Sequence, residues 1–576
     1  MIATNSYSLG FFISLLFLAF GCKRDIQPSK VKAVKYPQDE LTVQEGQNLF
    51  ITHCANCHSF EENNIGPNLA GITTQLDKEW IIKFIKNPVT VINSGDAHAA
   101  EQFKKYKQYM PPFPQLKDEE INQILSYIHK FSEGEKKNKV SRPGALIDPI
   151  KEKIAVSDYS LVLKKWVNIP PSSETAPLAR INKMVDLKVK ARYRLFIHDL
   201  RGKIYEIIQD STRVFFDVKA QLPNFIDRPG WASGLGSFTF HPEYEFNGLM
   251  YTIHTEPDST EKADFSLPSG IKTTVQYVLT EWKTNDINSH TFAHTAKREL
   301  LRVDMNTAAH GIQDIQFNPL VKKDSDDFGM LYIGVGDGGL ALSGHPELTD
   351  NIKHIWGSVI RINPLGSNST KGKYGIPLDN PFVDSSQAVH EIWARGFRNP
   401  HILSWDRSGT GKMFISNIGQ HSVEEINLGM KGADYGWPYR EGTYLFDPNA
   451  NPEVVYPIPA DDSRNYIDPV IQYDHDEGNA VAAGFVYNGK IKLLKGKYIF
   501  GDIPRGFLFY AENKDIRSGN QATVKKLQIE MDGVKSDLEA ITKNSRVDLR
   551  IGMDHAGELY LFTKSNGVIY KVVDMK

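Results

Sequence analysis

"DFGMLYIGVG", Asp327 to Gly336, sets a glycine-bearing turn ahead of a short run of β-branched and aromatic residues. Such a run suits a strand, and the glycine supplies the positive φ that a tight hairpin turn needs. The same phrase recurs as "DLRGKIYEI" from Asp199, "FNGLMYTIH" from Phe246, "GTGKMFISN" from Gly409, "LKGKYIFGD" from Leu494 and "HAGELYLFT" from His555. Six phrases at irregular spacing predict small sheets repeated radially rather than one sandwich. The expectation is an all-β, six-bladed β-propeller over residues 155–576, with long loops that build a site at one concave mouth.

The chain is 576 residues long, enough for two or three domains. Its net charge of −2 excludes a broadly basic face, so no nucleic-acid partner is expected. Residues 40–133 read as a small all-α domain. Trp80, Ile81, Phe84 and Ile85 form one apolar stripe, and Ile121, Ile124, Leu125 and Ile128 form another behind Asp118, a candidate N-cap. The charged stretch 134–154 reads as a linker.

Only three cysteines occur, and two lie in "THCANCHSF", Thr52 to Phe60. Cys-x-x-Cys-His is the attachment pattern of c-type haem: Cys54 and Cys57 bond the porphyrin, and His58 turns an imidazole to the iron. Zinc would want two further ligands, and a thioredoxin-like pair would follow a strand rather than a helix. Met110, in the proline-rich "YMPPFPQL", is the candidate second iron ligand. The segment resembles a class I cytochrome c. The third cysteine, Cys22, ends the 13-residue apolar run Leu9–Gly21, sized for an export signal. Residues 1–22 resemble a lipoprotein signal with Cys22 acylated, and 23–39 read as a linker. A lipid-anchored place in a Gram-negative cell envelope, periplasm-facing or at the surface, is the expectation.

Longer quotations carry a second resemblance. "GLGSFTFHPEYEFNGLMY", "MLYIGVGDGG", "AVHEIWARGFRNPHILSWD" and "NIGQHSVEEINLGMKGADYGWPYREG" follow one another in the order found in the soluble quinoprotein glucose/sorbosone dehydrogenases. The resemblance implies a propeller that binds pyrroloquinoline quinone (PQQ) and Ca²⁺ and oxidises a sugar or polyol. By it, His310 is the general base, Asp337 orients it, and Arg398 and Asn399 contact the quinone. Gly419 and Gln420 offer carbonyls to calcium, Glu425 matches a second calcium site, and Tyr473 and His475 line the substrate mouth. The chain departs from the family at Ala232, Pro504, Ser545 and Val547. Arg505 is the candidate replacement for the lysine missing at Pro504, and Arg546 falls on the wrong strand face. A tethered haem would drain the reduced quinone one electron at a time to a respiratory acceptor, a cytochrome or an oxidase. The alternatives are a carbohydrate- or protein-binding module without PQQ, and a carrier in which only the haem reacts.

Overall fold

The turn glycines of the six hairpin phrases, Gly202, Gly248, Gly329, Gly411, Gly496 and Gly557, adopt left-handed backbone, with φ between 65° and 109°. At Gly248 the turn also lacks room: a Cβ would stand 2.1 Å from the Thr284 carbonyl oxygen. These conformations come from a computed structural model. It describes residues 35–54, 58, 66–67, 69–106, 109–134, 142–174, 176–228, 232–258, 260–452 and 454–576. The export-signal run, Cys22 and Cys57 lie outside the described residues.

The turns knit strands into four separate four-stranded antiparallel sheets, which begin at Ile181, Leu235, Ile312 and Pro400. A nine-stranded sheet follows, made of two antiparallel runs joined by one parallel pairing, Ala155–Asn168 beside Lys525–Met531. The other edge of Ala155–Asn168 pairs antiparallel with the C-terminal strand Val568–Met575. The first strand of each sheet packs against the first strand of the next, from Ile181–Val189 through Leu235–Phe240 and Ile312–Phe317 to Pro400–Trp405. The circuit closes through Phe485–Val486, Lys497–Gly501 and Leu549–Met553, which returns to Ile181–Val189. The result is a β-propeller-like wheel. By hydrogen bonding it has four four-stranded sheets, one nine-stranded sheet and the small pair Arg440–Glu441 with Tyr444–Leu445, where the sequence predicts six blades.

Between neighbouring sheets the facing side chains are buried on both faces, so inner strands read as unbroken apolar or small-residue runs. Leu235–Phe240 is buried at every position. Small residues allow the sheets to touch: a Cβ at Gly236 would meet the Ile312 carbonyl oxygen at 2.4 Å, and one at Gly334 the Pro400 oxygen at 2.4 Å. The connections at strand ends are left to form one rim.

The helical unit runs from Glu40–His53 to Asp118–Gly134. Asp39 caps the first helix through Thr42 N, and Asp77 caps Lys78–Lys86 through Glu79 N and Trp80 N. Asp118 is the first helical residue rather than the cap, and its carboxylate pairs with Lys86. Ile121, Ile124, Leu125 and Ile128 are buried, as their spacing predicts. The first and last helices cross at Gly46, where a Cβ would stand 1.9 Å from the Gln123 carbonyl oxygen. Among the described residues no helix is long and apolar enough to cross a membrane.

Part of the linker is fastened down. Arg142 pairs with Asp447 at 3.2 Å, Leu146 bridges to Val455, and the Ile150 and Ile154 amides donate to Asp474 and Glu477. The free length is therefore shorter than the charged composition of 134–154 suggests.

Gly46→Ala forces one of two packed helix backbones to move. The variant should lose about 1–3 kcal/mol of helical-domain stability, read from helix circular dichroism through a denaturant titration; an unchanged midpoint would contradict the crossing.

Candidate functional site: a haem cleft and a cationic propeller mouth

His58 projects into an apolar cleft of about 1090 Å³ together with Cys54 and Met110. Its Nδ1–H donates to the Pro67 carbonyl at 2.8 Å, which leaves Nε2 for iron. Burial lowers its pKa, partly offset by that bond, and a neutral ring is the form a metal takes. Gly66 makes room for the ring, since a Cβ there would lie 2.4 Å from Cε1. Leu69, Ile81, Ile85 and Ile128 supply the greasy walls. The donor pair and the apolar walls fit a covalent haem c. Cys57 lies outside the described residues.

At the propeller rim, His310 stands in the connection between His294–Met305 and Ile312–Phe317, at φ 47°. A left-handed histidine is strained, and such strain persists only where surroundings enforce it. Here the Gly338 amide holds the His310 carbonyl at 3.1 Å. A Cβ at Gly336 would fall 2.0 Å from that oxygen, so "GVGDGG" is a clamp. Asp337 Oδ1 accepts from His310 Nδ1 at 2.9 Å and from Gly339 N at 2.8 Å, and its Oδ2 accepts from Trp437 Nε1 at 3.0 Å. His310 is thus fixed in the tautomer that offers Nε2. Burial and then Arg398 lower its pKa, against the pull of Asp337. Burial works to raise the Asp337 pKa, but His310, Arg398 and the Gly339 amide hold it below the usual carboxylate value.

The mouth, about 1320 Å³, is lined by His310, Arg398, Asn399, Gly419, Gln420 and His475. The structure therefore brings these six sequence candidates together. Arg398 donates from Nη1 to the Gly419 carbonyl at 2.5 Å and from Nε to Gln420 Oε1 at 2.9 Å. That guanidinium stands where a cation on Gly419 would be, so the residues as arranged do not fit calcium. His475 Nε2 bonds Glu424 at 3.0 Å; burial opposes its charge, but Glu424, backed by Glu441 and Asp502, raises its pKa.

Four expectations change. Tyr473 is 1% exposed and packs with Phe500 and Phe509 in the core, because its strand position faces away from the mouth. Arg505 is exposed and stacks over Phe507 at 4.3 Å, outside the mouth, because its turn carries it out to solvent. Glu425, matched to a second calcium site, is buried within Val423–Leu428 with its carboxylate oxygens bonded to Asn417, Asn427 and the Gly442 amide. Burial, against those three bonds, raises its pKa to about 7. Arg546 does reach the mouth and bonds Asp548 at 3.0 Å. Strand alternation does not govern it, since the strand begins at Leu549 and Asp548 is left-handed at φ 52°. Arg546 also contributes to the wall of the haem cleft.

Other residues carry no local signal. Glu441 Oε1 accepts from the amides of Gln420, His421, Ser422 and Val423, at 2.8 to 3.0 Å, and shapes the Gly419 loop. Asp502 holds the Asn479, Ala480 and Arg505 amides. Arg180, His401, Arg550 and Lys564 also line the mouth. A carboxylate that gathers backbone amides across 20 residues looks like any surface acid in sequence.

Comparison with known proteins agrees with this geometry. The Glucose / Sorbosone dehydrogenase profile matches residues 185–570, and the Cytochrome c profile matches residues 43–132. The chain belongs to the glucose/sorbosone dehydrogenase family, with a cytochrome c domain ahead of the propeller. It is 25% identical to the HIPL1 protein of Arabidopsis thaliana, over 59% of this chain and 53% of that one. To the Hedgehog-interacting protein of Homo sapiens it is 26% identical, over 66% and 49%. To quinoprotein glucose dehydrogenase B of Acinetobacter calcoaceticus it is 28% identical, over 41% and 46%. The chain spans about half the length of these curated relatives.

Gly66→Ala should push the His58 ring off its Pro67 bond and weaken iron ligation. Absorption spectra of oxidised and reduced haem, with a redox titration, would register a spin-state change and a shifted potential; a spectrum identical to the parent's would refute the packing.

Proposed function

We propose that the propeller oxidises a sugar or polyol hydroxyl with PQQ, and that the electrons pass to the haem c of the same chain and then to a respiratory acceptor. The observation that carries this reading is the His310–Asp337–Trp437 chain facing Arg398 across one mouth. The mouth suits an anionic ortho-quinone. Its basic side chains outnumber the acids lining it, and Asn399 Oδ1 and both His401 ring nitrogens are buried without a hydrogen-bond partner. When bound, PQQ would supply a two-electron acceptor.

The chain's own residues do the rest. His310 Nε2 takes the proton from the substrate hydroxyl, and Asp337 stabilises the imidazolium that forms. Trp437 keeps Asp337 from turning away. Arg398 aims positive charge at the side of the mouth where negative charge accumulates. Arg546 belongs to the walls of both cavities, which supports a short route from mouth to haem. Calcium receives no step, because Arg398 already occupies the Gly419 carbonyl. Reading the nine-stranded sheet as two blades joined edge to edge makes the wheel six-bladed. The proposal includes export and a lipid anchor at Cys22, facing the periplasm or the cell surface.

The test is to load the full-length haem-bearing chain with PQQ, add a panel of aldoses and polyols, and follow haem reduction. Reduction by at least one panel member supports the proposal; none, with PQQ bound, overturns it. With an active substrate, Asp337→Asn should lower kcat about 100- to 10,000-fold with little change in KM. In the parent, kcat/KM should rise with pH and level off, with an inflection below the ordinary histidine value of about 6.5, because His310 must be neutral to accept the proton. An inflection above that value would remove His310 as the base.

A further inference from the structure

Arg180, His401, Arg550 and Lys564 stand together in the mouth, and no part of the proposed mechanism uses them. They are 8%, 4%, 6% and 5% exposed, respectively. They come from four places on the rim: the approach to Ile181–Val189, the strands Pro400–Trp405 and Leu549–Met553, and the residue after Leu559–Thr563. Arg550 donates from Nε to Asn182 Oδ1 at 2.9 Å and from Nη1 to the Leu549 carbonyl at 2.8 Å. Arg180 donates to the carbonyls of Asp227 and Ser233. The oxygens named here are neutral, while the charges of Asp199, Asp227 and Asp548 also act on Arg180. Asp548, whose charge acts on both Arg550 and Lys564, is bound by Arg546. Asp199 accepts from Ser172 and the Arg201 amide.

A group of buried cations whose nearby carboxylates are already engaged by other donors is costly to hold charged. Burial first, then the charges of Arg550 and Arg180, depress the Lys564 pKa well below the usual lysine value, against Asp548 and Asp199. Burial likewise lowers Arg550 to about 10. An anion would reverse these penalties and give His401 a partner.

We propose that Arg550 and Lys564, flanked by Arg180 and His401, form a buried seat for a carboxylate, separate from Arg398 on the Gly419 loop. The proposal rests on the quinone reading only for its occupant: the carboxylate belongs to PQQ or to an acidic sugar, and the chemistry is shared.

The test is calorimetric titration of the full-length, haem-bearing chain. The probes are PQQ, trimesate (a carboxylated ring with no quinone) and glucuronate. PQQ and trimesate should bind the parent. Lys564→Met and Arg550→Gln should each weaken both ligands about tenfold or more. Lys564→Arg should retain binding. The Lys564→Met melting temperature should equal or exceed the parent's, since a buried charge site has been removed. Should Arg550→Gln fail to fold, the Lys564 pair decides alone. Glucuronate binding with the same losses assigns the seat to a substrate carboxylate. Undiminished PQQ and trimesate affinity in the variants overturns the seat and leaves the quinone reading standing. Trimesate binding that depends on Lys564, without PQQ binding, keeps the seat and overturns the quinone reading. No binding of any probe to the folded parent overturns both.

Discussion

Ala155–Asn168 is hydrogen-bonded along both edges, parallel to Lys525–Met531 and antiparallel to the C-terminal Val568–Met575. A wheel built from sheets that touch only through side chains would otherwise have a seam between its first and last strands. An open seam exposes two unpaired edges and lets the sheets splay. Here the chain's own entry strand fills it. The geometry of the mouth depends on that closure, because its side chains come from around the circuit: Arg180 from the first sheet, Arg398 from between the third and fourth, Arg546, Arg550 and Lys564 from the last.

Closure turns separated residues into a fixed constellation, but the rim loops need bracing of their own. Two buried carboxylates provide it. Glu441 collects four successive amides of the Gly419 loop, and Asp502 collects three amides from two turns. Burial drives the Asp502 pKa up to about 6, against those amides. Such groups work as struts. They satisfy backbone donors that would otherwise be stranded, and they leave Arg398 and His310 facing a mouth whose shape does not depend on loop rigidity alone.

The turns were legible because glycine signals a backbone conformation directly, and each phrase from Gly202 to Gly557 adopts it. The helical stripe Ile121–Ile128 was legible from period alone, and His310 with Asp337 from resemblance to a family. The residues that escaped are those whose meaning is long-range. Arg550 and Lys564 are ordinary basic residues at strand ends until the wheel closes around them. Tyr473 misled because position in a motif does not fix the face of a strand. Arg546 misled in the opposite way: alternation was applied to a segment that is not strand, where a left-handed Asp548 redirects the chain.

In the proposed reaction a base and a cation act on the same ligand, which raises an electrostatic conflict. Burial, and after it Arg398, depresses the pKa of His310, which favours the neutral ring but weakens it as a base; Asp337 restores part of that basicity through the Nδ1 bond. The compromise works only if Asp337 stays ionised, and its bonds to the Gly339 amide and Trp437 hold it so in a buried site. The same logic separates the cations of the mouth into two stations. Arg398 is held against the Gly419 carbonyl, where it can act on charge that develops during reaction. Arg550, which donates to the Asn182 and Leu549 oxygens, and Lys564 stand apart from it, suited to charge that is permanent. Had all of them crowded His310, its basicity would have been lost; distributing them around the wheel lets one mouth attract an anion and still accept a proton.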